Sequence, residues 1–268
     1  MTDQPEGRRM EQSTDLPARR PPDRAGEPFQ VQRVALAVDV ACFALRDGTV
    51  DLLLVRRGTE PFAGLWALPG GVVGAGEPLD EAARRVLAER TGVWGAYLEQ
   101  LYTFGDPGRD PRGRTVSVAY YALLSGQPPA EVRAGRDVEA SAWHAVDALP
   151  PLAFDHGQIA EYARWRLKQK IDYTPLAFHV LPEAFTMADL RTVYEAIHGQ
   201  AFDPSNFARQ MLARWDLAPV PGVRDRRTRR PARLYRYIGP RQIPGPPGGD
   251  LLETPDPPPT QSLGVLSS

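Results

Sequence analysis

Residues 71–93 read GVVGAGEPLDEAARRVLAERTGV, a glycine-rich loop running into a stretch with helical spacing. Pro78 suits a first helical turn, where a missing N–H costs nothing. Ala82, Val86 and Leu87 fall on one apolar stripe, and Gly92 supplies a left-handed stop. The spacing predicts a helix over 78–91. Upstream, VALAVDVACFALR (34–46) and VDLLLV (50–55) are apolar and β-rich, and Asp47-Gly48 between them marks a hairpin turn. Downstream, YTFGD (102–106) and TVSVAYYALL (115–124) read as two further strands.

The same 23 residues resemble the Nudix box, G-x5-E-x7-R-E-U-x-E-E-x-G-U, where U is a bulky aliphatic. Gly71, Glu77, Arg85, Leu87, Glu89, Gly92 and Val93 match, seven of nine specified positions. The approach LLLVRRGTEPFAGLWALPGG (52–71) is similar to a Nudix lead-in. The resemblance implies an α/β/α sandwich around a mixed sheet. The two mismatches bear on chemistry. In an active box the positions of Val86 and Arg90 carry glutamates, four residues apart and so on one helix face. Mg2+ takes oxygen ligands; here one carboxylate is replaced by an isopropyl group and the other by a guanidinium. A guanidinium ~5 Å from a divalent ion is repelled by about 7 kcal/mol at an effective dielectric near 20. Metal-assisted hydrolysis is therefore expected to be lost, with no catalytic residue, no metal-holding set and no required cofactor, while the cleft keeps its capacity to bind.

Ligand contacts are expected from Arg56, Phe62, Trp66, Glu77, Arg85, Glu89, Arg90, Arg109 and Arg112. Arg90 and Arg85 can neutralise a pyrophosphate in place of a metal; equally, Arg85 can pair with Glu77 or Glu89 and brace the loop, and Arg90 can face solvent. Phe62 and Trp66 are placed to stack a purine or to pack as core aromatics. The loop FGDPGRDPRGRTVSVAYYAL (104–123) resembles a segment of Nudix proteins that handle ADP-ribose-like dinucleotides. It offers Arg109, Arg112 and Arg114 beside Asp106 and Asp110.

Over 268 residues the net charge is −1, yet residues 204–238 hold nine Arg and two Asp, a local +7. Such separation points to a polyanionic partner. The single cysteine, Cys42, excludes a disulfide framework or a Cys-rich zinc module. No apolar run of ~18 residues exists to span a membrane, and MTDQPEGRRMEQSTD lacks the apolar stretch of a secretory leader; a cytoplasmic protein is the expectation.

The chain divides into a disordered arm (1–30), a ligand-binding domain (31–157), a linker helix (158–171), a second domain (172–238) and a disordered tail (239–268) with eight of the 28 prolines. The second domain reads as a winged helix-turn-helix. Thr186 and Asp189 form a capping pattern before a helix with Leu190, Val193, Tyr194 and Ile197 on its apolar face. Asp203-Pro204 opens a second helix. Its buried stripe is expected from Phe207, Met211 and Trp215, widened by Leu212. Its other face carries Ser205, Asn206, Arg209 and Gln210, types that bond base edges and phosphates. After it, VPGV, RDRRTRR and RLYRYI read as strand, tip and return strand of a basic wing, with Arg226, Arg227, Arg229, Arg230 and Arg233 for the DNA backbone.

Residues 171–212, followed by RRPARLYRY (229–237), resemble the C-terminal half of the Nudix-related transcriptional regulators of NAD metabolism, and residues 31–238 as a whole are similar to that family. Membership implies a homodimeric repressor on a palindromic double-stranded operator, an ADP-ribose-like effector in the Nudix-like domain that releases DNA, and no membrane partner. The helix through 157–170 (GQIAEYARWRLKQK) is the expected lever. Members tied to sugar catabolism, an active pyrophosphohydrolase of ADP-ribose-like compounds, and a constitutive DNA binder with an inert Nudix scaffold are the alternatives.

Overall fold

The apolar run at 34–46 becomes the central strand of a mixed sheet, buried on both faces. The computed structural model describes residues 33–125, 134–135, 137–225 and 232–241. In it β1 (Ala35–Arg46) turns at Asp47 and Gly48, both with positive φ, into β2 (Thr49–Arg57). Strands β3 (Trp66–Ala67), β4 (Gly70–Val72), β5 (Tyr97–Phe104), β6 (Thr115–Leu123) and β7 (Val138–Ala145) complete the sheet. The order is β3-β2-β1-β6-β5, with β4 also on β1 and β7 also on β2. The β1–β6 pair is parallel and the others are antiparallel, so the sheet is mixed as expected. The expected 102–106 strand instead begins at Tyr97 and ends at Phe104.

Side chains alternate across β1 with the pleat. Val38, Val40, Cys42 and Ala44 pack with Ala82, Ala83, Val86 and Leu87 of α1 (Leu79–Thr91). Burial in this apolar layer pushes the Cys42 thiol up to about 12. Ala41 and Phe43 point the other way, toward α2 (His156–Ile171). Pro78 precedes α1 as its extended cap residue, and Gly92 (φ 72) closes it with an N–H to the Ala88 carbonyl.

The second half begins with a 3-10 turn, Pro175–His179, and β8 (Phe185–Thr186). It continues through α3 (Met187–His198), α4 (Pro204–Arg214), β9 (Trp215–Asp225) and β10 (Ala232–Pro240). Strands β8, β10 and β9 form a three-stranded sheet in that order, giving the winged helix-turn-helix. The Thr186 hydroxyl accepts from the Asp189 N–H at 3.0 Å while the Thr186 N–H donates to Asp189 Oδ2 at 2.8 Å, the reciprocal cap expected from their spacing. Asp203 Oδ1 accepts the Asn206 N–H at 2.8 Å.

Two packing expectations need correction. Phe207 and Met211 are buried, but Leu212 is 36% exposed and does not widen their stripe; it lies ~100° round the helix from Met211. Trp215 is buried, yet not as a helical residue: the backbone there is extended (φ −115, ψ 143). Its ring enters from the start of β9 to meet Phe178 and Tyr237, with centroids at 5.6 and 5.8 Å.

The helix α2 is more than a connector. Ile159, Ala160, Ala163, Leu167 and Ile171 belong to one apolar cluster that runs from Phe43 and Leu52 of the Nudix-like half to Val193, Ile197 and Trp215 of the winged half. The 1–30 arm, the wing-tip arginines Arg226, Arg227, Arg229 and Arg230, and all but the first three residues of the 239–268 tail lie outside the described residues. Among the described residues no helix is long and apolar enough to cross a membrane. Because the core is shared, Phe43→Ala should cost about 3–5 kcal/mol. Urea unfolding should stay one transition, coincident by tryptophan fluorescence and far-ultraviolet dichroism; two separated transitions would refute a shared core.

Candidate ligand pocket and nucleic-acid interface

The loop ahead of α1 is held by one guanidinium. Arg85 Nε and NH2 donate to the two Glu77 oxygens at 2.6 and 2.8 Å, NH1 to Glu89 at 3.2 Å, and NH2 also to the Val72 carbonyl at 3.2 Å. Glu77 additionally accepts the Gly74 N–H at 2.8 Å. The Arg85 hydrogen bonds, with that backbone N–H, pull the Glu77 carboxyl down to about 2, and Glu77 in turn raises Arg85. Arg85 and Glu77 therefore brace the loop. Val86 is 1% exposed and packs so closely on β4 that a Cβ at Gly71 would lie 3.1 Å from its Cγ2. Arg90 reaches Asp137 on the approach to β7 at 3.4 Å.

A second set of side chains gathers where β2, the 105–114 loop and the entry to α2 meet. Phe154, with φ 55, carries Arg57 4.8 Å and Arg112 5.6 Å from its ring centroid, and Phe62 packs edge-on at 4.8 Å. Arg112 also grips Asp110 through two bonds of 3.0 and 2.7 Å, yet its side chain stays 60% exposed. The Arg57 guanidinium donates to the Pro61 and Thr59 carbonyls at 2.8 and 3.3 Å. Among the described residues no carboxylate lies within 4 Å of it. Burial, then the charges of Arg112 and Arg90, lower the Arg57 pKa. Two guanidinium groups at one aromatic ring, one of them without a carboxylate partner within 4 Å among the described residues, can receive an anion attached to a ring.

The sequence-expected residues divide accordingly. Phe62 and Arg112 sit in this cluster. Arg56 instead donates to the Gly64 carbonyl at 3.0 Å and pairs with Glu139 at 3.6 Å. Trp66 packs on His144, with ring centroids 4.5 Å apart. Glu89 is on the exposed side of the Arg85 brace. Arg114 donates to the Gly105 carbonyl at 2.7 Å. Arg57 and Phe154, central to the cluster, escaped sequence reading.

Arg109 lies behind the cluster, its side chain 4% exposed. It donates to both Asp155 oxygens at 2.8 and 2.7 Å and to Asp39 at 3.2 Å. Burial works against its charge, but the bonds to Asp155 and the nearby Asp39 outweigh it and raise its pKa. Asp39 also accepts from Ser117 Oγ at 2.6 Å and lies 3.4 Å from His156 Nε2. His156 Nδ1 accepts the Leu68 N–H at 2.9 Å, so the ring proton is on Nε2, facing Asp39. Burial lowers the His156 pKa and keeps the ring neutral.

The face of α4 away from the core is as expected. Ser205, Asn206, Arg209 and Gln210 are all exposed, with Arg209 NH2 bonded to Asn206 Oδ1 at 2.7 Å. Glu195 of α3 accepts the Phe202 N–H at 2.9 Å and so fixes the turn into α4. Arg233 is exposed on β10.

Together, a mixed sheet between two helices with a box-like loop and helix, followed by a winged helix, define a Nudix domain joined to a DNA-binding module. Residues 35–165 match the NUDIX domain and residues 177–237 the NrtR DNA-binding winged helix domain. A protein of Acinetobacter baylyi named ADPR responsive transcriptional repressor NtrR is 36% identical over 211 residues, spanning 75% of this chain and 81% of that one. The crystal structure of Shewanella oneidensis NrtR complexed with a 27mer DNA superimposes with a TM-score of 0.65 at 37% identity, covering 76% of this chain and 93% of that one. An ADP-ribose pyrophosphatase of Methanocaldococcus jannaschii is 37% identical over 125 residues, 45% of this chain and 72% of that protein. The chain belongs to the NrtR family of Nudix-related regulators.

Two outcomes follow from the buried network. A Cβ on Gly70 would lie 2.0 Å from Asp39 Oδ1, and the carboxylate is held in place by Ser117 and Arg109 at Oδ2 and by His156 at Oδ1. Gly70→Ala should lower stability by about 1–3 kcal/mol in urea unfolding. His156 is neutral in the fold at pH values where an exposed histidine, with pKa near ~6.5, protonates. The unfolded chain then binds the extra proton, so stability is full above about pH 6.5 and falls as pH drops below it. Melting between pH 7.5 and 5.5 should show this fall, and His156→Gln should make it shallower.

Proposed function

We propose that this chain is a DNA-binding transcriptional repressor of genes for NAD biosynthesis or salvage, and that ADP-ribose or a related NAD-derived nucleotide releases it from DNA. The observation that carries the reading is the Arg57–Phe154–Arg112 cluster, two guanidinium groups on one aromatic ring, on the same chain as an exposed, polar recognition helix. The pyrophosphate meets Arg57 and Arg112, with Arg90 adding longer-range positive charge, and an aromatic base or ring packs on Phe62 and Phe154. Of the residues expected from sequence, Phe62, Arg112 and Arg90 stay in this ligand set; Arg57 and Phe154 join it; Arg109, Glu77 and Arg85 act behind it as supports. The relative named for its response to ADPR and the DNA-bound structural relative support the pairing of effector and operator.

The working form is a homodimer on a palindromic operator in the cytoplasm. Two α4 helices enter successive major grooves about 34–36 Å apart. Ser205, Asn206, Arg209 and Gln210 face the bases, while Arg233 and the wing arginines Arg226, Arg227, Arg229 and Arg230 face phosphates. The ligand shifts the equilibrium only through unequal affinity for the two states; a hundredfold difference supplies ~2.7 kcal/mol. The Nudix domain does not hydrolyse its ligand, because apolar packing occupies the Val86 position and Arg85 saturates Glu77. The alternative, a pyrophosphohydrolase, draws on the archaeal relative and on the retained Glu77 and Glu89. Incubation with ADP-ribose and Mn2+ separates the two: steady AMP release would establish the enzyme.

Arg57→Ala and Arg112→Ala should each weaken ADP-ribose binding roughly 10–100-fold by calorimetry, the loss of a charge-assisted hydrogen bond of about 1.5–3 kcal/mol. Arg56→Ala should change it little. Asn206→Ala and Arg209→Ala should each cost about 1–3 kcal/mol of operator affinity in gel shifts and leave ADP-ribose binding intact. Unaltered DNA binding in both α4 variants would overturn the interface.

A further inference from the structure

The Phe154 ring of the pocket is two residues ahead of the first residue of α2, and that end of the helix is tied to the sheet by Asp155, His156, Arg109 and Asp39. The 16 residues of α2 span about 24 Å as one rigid rod. At the far end Lys170 Nζ donates to Glu99 Oε1. The other Glu99 oxygen accepts the Tyr97 and Tyr121 hydroxyls at 2.8 and 2.5 Å. Burial opposes the Glu99 charge, but Lys170 and then the two phenols outweigh it and hold the carboxyl below its ordinary range. Tyr97 stacks on His179 of the winged half, with centroids 4.3 Å apart. The same turn of α2 presents the Ile171 carbonyl to the Tyr194 hydroxyl of α3 at 2.9 Å, and Asp172 to His198 at 3.1 Å. Sheet and lever thus meet at Glu99, and Tyr97 and the end of α2 carry the contact on to the winged half.

We propose that Glu99 is a positioning residue of the regulatory switch, the latch on the sheet that Lys170 engages in one placement of α2 and leaves in the other. The three donors differ in kind. Tyr97 and Tyr121 belong to β5 and β6, the same sheet as Glu99, and remain with it. Lys170 alone belongs to the lever. When α2 shifts, Glu99, a half-buried carboxylate, keeps two hydrogen bonds from its own sheet. This rests on the reading above that the pocket binds an ADP-ribose-like ligand and α4 binds DNA.

The test reads the ratio of operator dissociation constants with and without saturating ADP-ribose, for the full chain and for Glu99→Gln, Lys170→Met, the double variant and Lys170→Arg. Glu99→Gln and Lys170→Met should each reduce the ratio by about fivefold or more, within the usual range of coupling. The double variant should lose no more than either single one, since one contact is shared. Lys170→Arg should restore the ratio. ADP-ribose affinity by calorimetry and the melting temperature should stay near those of the parent chain. An unchanged ratio in both single variants, with ADP-ribose bound, overturns the latch. Loss of ADP-ribose affinity in both also overturns it, because Glu99 would then support the pocket. A parent chain that binds neither ADP-ribose nor operator instead refutes the functional reading itself.

Discussion

One guanidinium joins two carboxylates in the interior, and most of the Nudix half is arranged around that contact. Arg109 sits between Asp39 of β1 and Asp155 at the entry to α2, far apart in sequence and all but removed from water. A buried charge is tolerated only with partners and hydrogen bonds, and here each partner imposes a further requirement. Asp39 needs Ser117 from β6 and a glycine at position 70. Asp155 fixes the backbone so that His156 can accept the Leu68 N–H, which in turn secures β3. Removing Arg109 would strand two acids together, so its role is fixed by burial even though its loop is rich in exposed arginines.

The box-like segment gains a different meaning from the same accounting. Gly71 lets Val86 approach; Glu77 receives the Gly74 N–H; Arg85 reaches back to the Val72 carbonyl; Gly92 takes a left-handed conformation. These are requirements of a loop folded against a helix, independent of any metal. A sequence can satisfy them all whatever stands at positions 86 and 90, which is why the resemblance stays legible with Val86 and Arg90 there.

What sequence reading reached was local. Helix frames, caps and the alternation of β1 depend on residues a few positions apart, and they emerged with boundaries off by a few residues, as at Tyr97. The polar face of α4 was equally accessible, since Phe207 and Met211 fix which side is buried. The pocket was harder because it depends on residues brought together from distant segments. Arg56 and Arg57 are neighbours with identical side chains, and their distant partners distinguish them: Glu139 for the first, Phe154 for the second. Phe154 itself lies in an irregular stretch with no periodicity. Asp39 did carry a signal: a carboxylate inside VALAVDVACFALR, where every neighbour is apolar, has to find a cation. Its partner, 70 residues away, is not legible in the sequence, where Arg109 stands in an arginine-rich loop and reads as a ligand contact rather than as part of the core.

The way the halves are joined limits how a switch between them can work. Their shared apolar cluster through Phe43, Leu167, Val193 and Ile197 is held by burial, which is non-directional and tolerates small sliding. Polar contacts do not slide; they are made or broken. The contacts that define discrete placements of α2 are therefore the ones at its two ends: Asp155 and His156 beside the pocket, Lys170 and the Ile171 carbonyl beside α3. On the proposed reading, a ligand pressing on Phe154 would act on the first set directly and reach the second through α2 as a rod, so a break in α2 would silence the response while leaving both surfaces whole.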